Sequence, residues 1–307
     1  MSLLVAIPNR NIDKLLTQLK RHLGEDLVQQ WPDVTDPDSV TMVLGWQVPA
    51  DLWQSVPNVQ AVASFGAGVD GLNLAAVPQH LPVTRVVDPN LATDMAEYVL
   101  SQILLHKTNM PRYTRQQQQS LWQPKRVQPH NRVGLLGFGQ LGQAIAKRLH
   151  ANGFEIMAWS NSQKQDADAV HHFYGESGLH EMVARTDYLV CVLPLTQQTT
   201  QIIDAQLLAL LPSHAVVINV GRGQHLDEQA LIEAIKEQRI GGASLDVFTH
   251  EPLPTEHEFW HNPHIIVTPH CSALTSVDTV VNQVVDNYNR LQQGSPLEHC
   301  IDRDKNY

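Results

Sequence analysis

Val133-Gly-Leu-Leu-Gly137-Phe-Gly139-Gln140-Leu141-Gly142 is a G-x-G-x-x-G turn that opens directly behind an apolar, strand-like run. The residues that follow place Leu141, Ile145 and Leu149 on one helical face, so the turn joins a strand to a helix. In that setting each glycine has a physical task. Gly137 permits the tight turn, Gly139 lets backbone N–H groups approach a pyrophosphate, and Gly142 lets helix and strand pack closely. The helix N-terminus adds partial positive charge. Gly137, Gly139, Gln140, Leu141 and Gly142 are therefore candidates for holding a dinucleotide.

Downstream of this turn the alternation continues. Strand-like runs at 133–136, 154–159, 188–193, 215–220, 242–247 and 264–268 are separated by helical patterns, as a complete dinucleotide-binding fold requires. Upstream lies a separate series, with strand candidates at 3–7, 41–44, 59–65 and 83–87. A helix at 12–23 aligns Ile12, Leu15, Leu16, Leu19 and Leu23. From Asp94 a stripe of Met95, Ala96, Val99, Leu100, Ile103 and Leu104 predicts a helix, followed by a Gln-rich, Pro-flanked connector or arm at 116–129. A last helix at 277–291 carries a Val-rich face. Strands alternating with helices in two series predict an α/β protein with two doubly wound parallel sheets.

The 307-residue length suits two domains, and 43% apolar against 17% charged residues is a globular composition. Apolar runs such as 189–193 and 207–211 stop well short of the roughly 20 residues a membrane span needs. The N-terminal stretch shows no secretory leader. A net charge of −10 repels nucleic acid and anionic lipid, so neither is expected as a partner. Cys191, Cys271 and Cys300 lack C-x-x-C spacing, which predicts a reduced, cytoplasmic protein. His171-His172 is read as solvated surface, since adjacent residues do not share a helix face and no partner stands at ligand spacing; no metal is expected.

The second strand's end decides which dinucleotide. A site for NAD places Asp or Glu there to hold the ribose 2′-hydroxyl. Here the segment reads Trp159-Ser160-Asn161-Ser162-Gln163-Lys164, with no carboxylate between Glu155 and Asp166. Ser160, Asn161 and Ser162 offer donors to a 2′-phosphate and Lys164 a charge, so NADP is expected, with NADPH preferred and NADH usable.

Three polar motifs close later strands: Asn219-Val-Gly-Arg222-Gly223, Asp246-Val-Phe248-Thr-His-Glu251, and Thr268-Pro269-His270. The C-terminal strand edge is where open α/β sheets bind ligands. With Phe65-Gly-Ala-Gly68-Val69-Asp70 and the closing Ile301-Asp302-Arg303…Tyr307, these motifs make the chain resemble the D-2-hydroxyacid dehydrogenase family nearly end to end. The likeness is closest to its glyoxylate/hydroxypyruvate reductase A branch. His270-Cys-Ser-Ala-Leu-Thr275, without the glycine many members carry there, fits that branch.

The resemblance implies roles. Arg222 binds the substrate carboxylate and polarises the carbonyl, His270 is the general acid/base, and Glu251 orients the imidazole. Asp246 holds the nicotinamide amide, with Leu193, Pro194 and Val220 also on the cofactor side. Gly68 and Val69 offer backbone N–H groups to the substrate carboxylate, and Trp46 lines the substrate side. It further implies a flavodoxin-like substrate domain (1–101 plus 271–307), a Rossmann cofactor domain (102–270), a cleft between them, and a homodimer with the Gln116–Trp122 arm reaching across. The expected activity is NADPH-dependent reduction of a small 2-oxo acid, glyoxylate to glycolate or hydroxypyruvate to D-glycerate. The alternatives are an NAD-linked D-2-hydroxyacid dehydrogenase of other specificity and a non-catalytic nucleotide sensor, which would have shed Arg222, Glu251 or His270.

Overall fold

In chain order the elements are β1 (Ser2–Ala6), α1 (Asp13–Leu23), β2 (Val28–Gln30), β3 (Val40–Gly45), α2 (Leu52–Ser55), β4 (Ala61–Ser64), β5 (Val83–Thr84), α3 (Pro89–Lys107) and α4 (Met110–Gln118). They continue with β6 (Arg132–Leu136), α5 (Gln140–His150), β7 (Glu155–Ser160), β8 (Val170–Tyr174), α6 (Gly175–Val183), β9 (Tyr188–Cys191), α7 (Ala205–Leu210) and β10 (Val216–Asn219). Last come α8 (Glu228–Lys236), β11 (Gly242–Leu245), β12 (Ile265–Val267) and α9 (Val277–Gln292). The structure is a computed structural model and describes residues 1–8, 10–163 and 169–303. Lys164 therefore lies outside the described residues, as does Tyr307.

The chain divides into two compact units, 1–89 with 275–307, and 90–274. In the first, the described strands form a five-stranded sheet of order β2-β1-β3-β4-β5. All its pairings are parallel, and the order is that of a flavodoxin-like sheet. Both faces of the sheet are covered. On one, Leu15 and Leu19 of α1 and Val280, Val281, Val284 and Tyr288 of α9 pack against Leu3, Val5, Met42 and Leu44. On the other, Leu52, Val56, Leu72 and Val77 pack against Leu4, Ala6, Val43 and Val62.

In the second unit the described strands form a seven-stranded sheet of order β12-β11-β10-β9-β6-β7-β8, again parallel throughout. The chain reverses its winding between β6 and β9, the topological switch point at which such sheets bind ligands. The unit begins at Asn90, so nearly all of α3 belongs to it, whereas the resemblance implies a change of domain at 101/102. Packing explains this: Met95, Ala96, Val99 and Ile103 of α3 sit in one apolar cluster with Val133, Leu135 and Ile145.

Two strands escape a reading based on apolar runs, β2 (VQQ) and β8 (VHHFY). Both are outermost in their sheets, where a strand has only one neighbour and fewer positions demand apolar side chains. Both histidines read as solvated surface lie on β8, where His171 is exposed as expected but His172 is half-buried with its ring edge-on to Phe138 at 4.6 Å.

At the opposite, N-terminal edge of the second sheet, Asp187 ties three central strands together. Its buried carboxylate accepts from the backbone N–H of Asn131 and Arg132, from the Arg132 guanidinium and from His214 Nε2. His130 stacks on His214 at 3.6 Å between ring centroids. Burial would raise the Asp187 carboxyl, but the hydrogen bonds from Arg132 and His214 outweigh it and hold it far below the usual carboxylate range. These three ligand-type side chains are close enough to suggest a metal. However, the guanidinium already occupies the carboxylate, and parallel stacked rings do not converge their lone pairs on one point.

Candidate active site

The glycine-rich turn forms where the sequence places it. Gly137 has φ +106, a conformation that L side chains rarely adopt, and a Cβ there would crowd Val192 and Leu193 after β9. A Cβ on Gly142 would collide with the Gly137 carbonyl oxygen, so this glycine is required for α5 to start hard against the turn. Gly139 faces space with no atom within 4 Å of a built Cβ. An open cradle at a helix N-terminus, lined by backbone N–H groups, fits a dinucleotide pyrophosphate. Gln140 is exposed and Leu141 half-buried on the first turn of α5.

Beside the cradle β7 ends at Ser160, whose hydroxyl donates to the Ser162 carbonyl at 2.8 Å. Asn161 and Ser162 are exposed, and Asn161 Nδ2 donates to Gln198 Oε1 at 3.3 Å. Gln198, from the segment after β9, stands in no motif and carries no sequence signal of its own. Leu193 is half-buried and Pro194 exposed. The Pro194 carbonyl accepts from Thr199 and faces His225 Nε2 at 3.3 Å. Val220 is buried, its N–H donating to the Cys191 carbonyl.

Arg222 follows β10 on a tightly built loop. Asn219 Nδ2 donates to the Arg222 carbonyl at 2.8 Å, the Arg222 N–H donates to His225 Nδ1 at 3.0 Å, and Arg222 Nη1 donates to the Gly221 carbonyl. A Cβ on Gly223 would strike the Phe248 backbone. The absent side chain therefore lets the arginine loop lie directly on the segment leading to Glu251. His225, wholly buried beneath this loop, is a structural residue that no spacing rule picks out among 16 histidines.

The structure brings His270 and Glu251 together. His270 Nδ1 is 2.7 Å from Glu251 Oε2, and the other carboxylate oxygen accepts the Phe248 N–H at 3.0 Å. Burial would raise the Glu251 carboxyl, yet the hydrogen bonds from His270 and Phe248 and the charges of His270 and Arg222 prevail and lower it. An ionised carboxylate only accepts, so Nδ1 carries the hydrogen and Nε2 is the nitrogen left to exchange a proton. The imidazole is 41% exposed, enough to meet a small molecule.

Asp246 sits apart from this surface. It is 0% exposed, and its carboxylate accepts from Thr268 Oγ1 and from the N–H groups of Cys271 and Ser272. The resemblance assigns it to the nicotinamide amide; the hydrogen bonds present in the structure tie it to the histidine loop.

In the first unit, the Trp46 indole lies against the backbone of Gly66 and Gly71, where any side chain would clash with it. The Arg10 guanidinium stands 5.5 Å from its ring centroid. Gly68 accepts the Ser64 hydroxyl through its carbonyl, and Val69 is buried, so this segment presents backbone instead of side chains.

Known proteins share this architecture. Residues 100–272 match the family described as D-isomer specific 2-hydroxyacid dehydrogenase, NAD binding domain. The chain is 34% identical over 300 residues to a glyoxylate/hydroxypyruvate reductase A of Yersinia enterocolitica, covering 95% of each. It is 33% identical to that of Salmonella newport, covering 100% of each. Among solved structures, the NADPH-dependent glyoxylate/hydroxypyruvate reductase of Sinorhizobium meliloti in complex with NADP and sulfate superposes with a TM-score of 0.91 at 34% identity, covering 100% of each chain. A D-isomer specific 2-hydroxyacid dehydrogenase of Xanthobacter autotrophicus in complex with NADPH gives a TM-score of 0.90 at 33% identity, over 100% of this chain and 99% of that one. With its glycine turn at the switch point and its strand-end Arg, Glu and His motifs, the chain belongs to the D-isomer specific 2-hydroxyacid dehydrogenases, a family of NAD(P)-dependent oxidoreductases.

Proposed function

We propose that this protein reduces a small 2-oxo acid, glyoxylate or hydroxypyruvate, to the 2-hydroxy acid, with NADPH as the preferred reductant. The His270–Glu251 pair at 2.7 Å, beside the Arg222 loop, carries the reading. Gly137, Gly139, Gln140, Leu141 and Gly142 would hold the pyrophosphate, and Leu193, Pro194, Val220 and Asp246 would bound the nicotinamide end. Ser160, Asn161 and Ser162, aided by Lys164, would take the 2′-phosphate.

NADPH, when bound, would supply the hydride. Arg222 binds the substrate carboxylate with its guanidinium fork and draws electron density from the carbonyl. His270, held by Glu251 through Nδ1, gives its Nε2 proton to the carbonyl oxygen as negative charge develops there. Gly68, Val69 and Trp46 of the first unit are the further candidates for substrate contact that the resemblance implies. Names of the relatives and the carboxylate-free end of β7 support the substrate class and the cofactor preference.

Trp122 is 95% exposed in the arm after α4, which supports a homodimer burying it. Cys191, Cys271 and Cys300 are all unpaired, which supports a reducing, cytoplasmic setting. Among the described residues no helix is long and apolar enough to cross a membrane. The deciding experiment follows NADPH absorbance with glyoxylate, hydroxypyruvate, pyruvate and 3-phosphohydroxypyruvate, repeated with NADH. Fastest kcat/KM with glyoxylate or hydroxypyruvate and NADPH is expected. No oxidation with any 2-oxo acid would overturn the reading.

A further inference from the structure

His270 has φ +51, a left-handed conformation that is uncommon for a residue with a Cβ and persists only when its surroundings hold it. The surroundings here are Asp246 and what stands behind it. The His270 N–H donates to the Asp246 carbonyl at 2.8 Å. One carboxylate oxygen of Asp246 accepts from Cys271 N at 2.9 Å, and the other accepts from Ser272 N at 2.9 Å. Asp246 thus grips three consecutive N–H groups, those of the histidine and of the two residues after it.

That grip is itself braced. Thr268 Oγ1 lies 2.6 Å from Asp246 Oδ1 and 2.6 Å from the Tyr98 hydroxyl. Thr268 has one hydroxyl hydrogen, which it donates to Asp246 Oδ1, an oxygen that also accepts the Cys271 N–H. Tyr98 must therefore donate to Thr268. The chain runs in one direction, from Tyr98 O–H to Thr268 O–H to Asp246, and ends on the backbone of the histidine loop. Burial raises the Tyr98 phenol well above its ordinary range, so it keeps its hydrogen at every working pH. Tyr98 belongs to α3, whose apolar face is anchored in the core of the same unit through Met95, Val99 and Ile103.

We propose that the Tyr98 hydroxyl, acting through Thr268 and Asp246, is a positioning group that sets the orientation of His270 toward its proton acceptor. The proposal rests on the reading of His270 as proton donor. A helix that is otherwise structural thereby gains a part in catalysis without touching substrate.

Tyr98→Phe removes only the hydroxyl, and Thr268→Val replaces the relay with a side chain of similar shape. Loss of one hydrogen bond in the relay should lower kcat with NADPH and glyoxylate roughly three- to tenfold in Tyr98→Phe, about 0.7–1.4 kcal/mol, and further in Thr268→Val. KM and the NADPH Kd should stay close to those of the unmodified protein. Tm should fall in Thr268→Val by less than the loss of kcat accounts for, since it leaves buried Asp246 short of a donor, and Thr268→Ser should recover most of what Thr268→Val loses. Unchanged kcat in Tyr98→Phe and Thr268→Val would overturn the proposal. So would a kcat loss that only tracks falling Tm and rising Kd. If the unmodified protein oxidises no NADPH, the functional reading fails on its own. The positioning is then judged by the ¹H–¹⁵N resonances of the His270 ring, which should move in Tyr98→Phe and whose invariance would overturn it.

Discussion

Glu251 Oε2 stands 2.7 Å from His270 Nδ1 while Glu251 Oε1 is fixed by the Phe248 N–H. With both oxygens engaged, the carboxylate cannot rotate away, and the imidazole tautomer is set. Replacing His270 by Gln should therefore lower kcat by at least about 10²-fold, the lower range of general acid/base contributions. NADPH binding, followed by fluorescence titration, should change little. Near-native turnover would contradict the proposed mechanism.

Arg222→Lys keeps a positive charge and loses the planar fork that meets a carboxylate with two parallel hydrogen bonds. The expected outcome is a rise in KM for glyoxylate of about tenfold or more, equivalent to roughly 1.4 kcal/mol, with a smaller fall in kcat. Steady-state kinetics at saturating NADPH check this.

Ser160→Asp places a carboxylate at the end of β7, where it grips a ribose 2′-hydroxyl and repels a 2′-phosphate. The ratio of kcat/KM for NADPH over NADH should exceed about ten in the unmodified protein, since hydrogen bonds to a charged group are worth about 1.5–3 kcal/mol. The variant should invert it. A ratio at or below one before substitution would show that this loop does not select the phosphate.

Gly223→Ala would drive a methyl group into the Phe248 backbone, forcing apart the loops that carry Arg222 and Glu251. Overpacking of this kind costs about 1–3 kcal/mol. Both a lower Tm in calorimetry and a fall in kcat/KM are expected.

Acidification should destabilise the protein well before general unfolding. His106 is lowered to about 4 by burial and by the charge of His264, and Asp187 is also held below its ordinary range. For His106 the unfolded chain binds the proton first, near 6.5, so stability is full above that pH and is lost as pH falls toward about 4. Asp187 continues the loss below the ordinary carboxylate range, where the unfolded carboxyl takes up a proton that the folded one still refuses. Tm between pH 7 and about 4 should fall less steeply in His106→Asn than in the unmodified protein. Parallel curves for the two proteins would show that His106 does not carry the acid sensitivity.

Much of this molecule is written locally. The turn from Gly137 to Gly142 is legible because its glycines answer local steric needs, and the buried parallel strands are legible because both their faces require apolar side chains. Arg222, Glu251 and His270 announce themselves at strand ends. The edge strands β2 and β8 were illegible, because a strand with a single neighbour can stay polar. Only the tertiary structure decided that Gly223 seats the arginine loop on Phe248, that Asp187 joins three strands, and that Tyr98 reaches Asp246 through Thr268. Arg132 and Asp187 are 55 positions apart in the chain, and Tyr98 and Thr268 are 170 apart. No spacing rule spans such distances; only the packing of helices on sheets brings such residues within hydrogen-bonding reach.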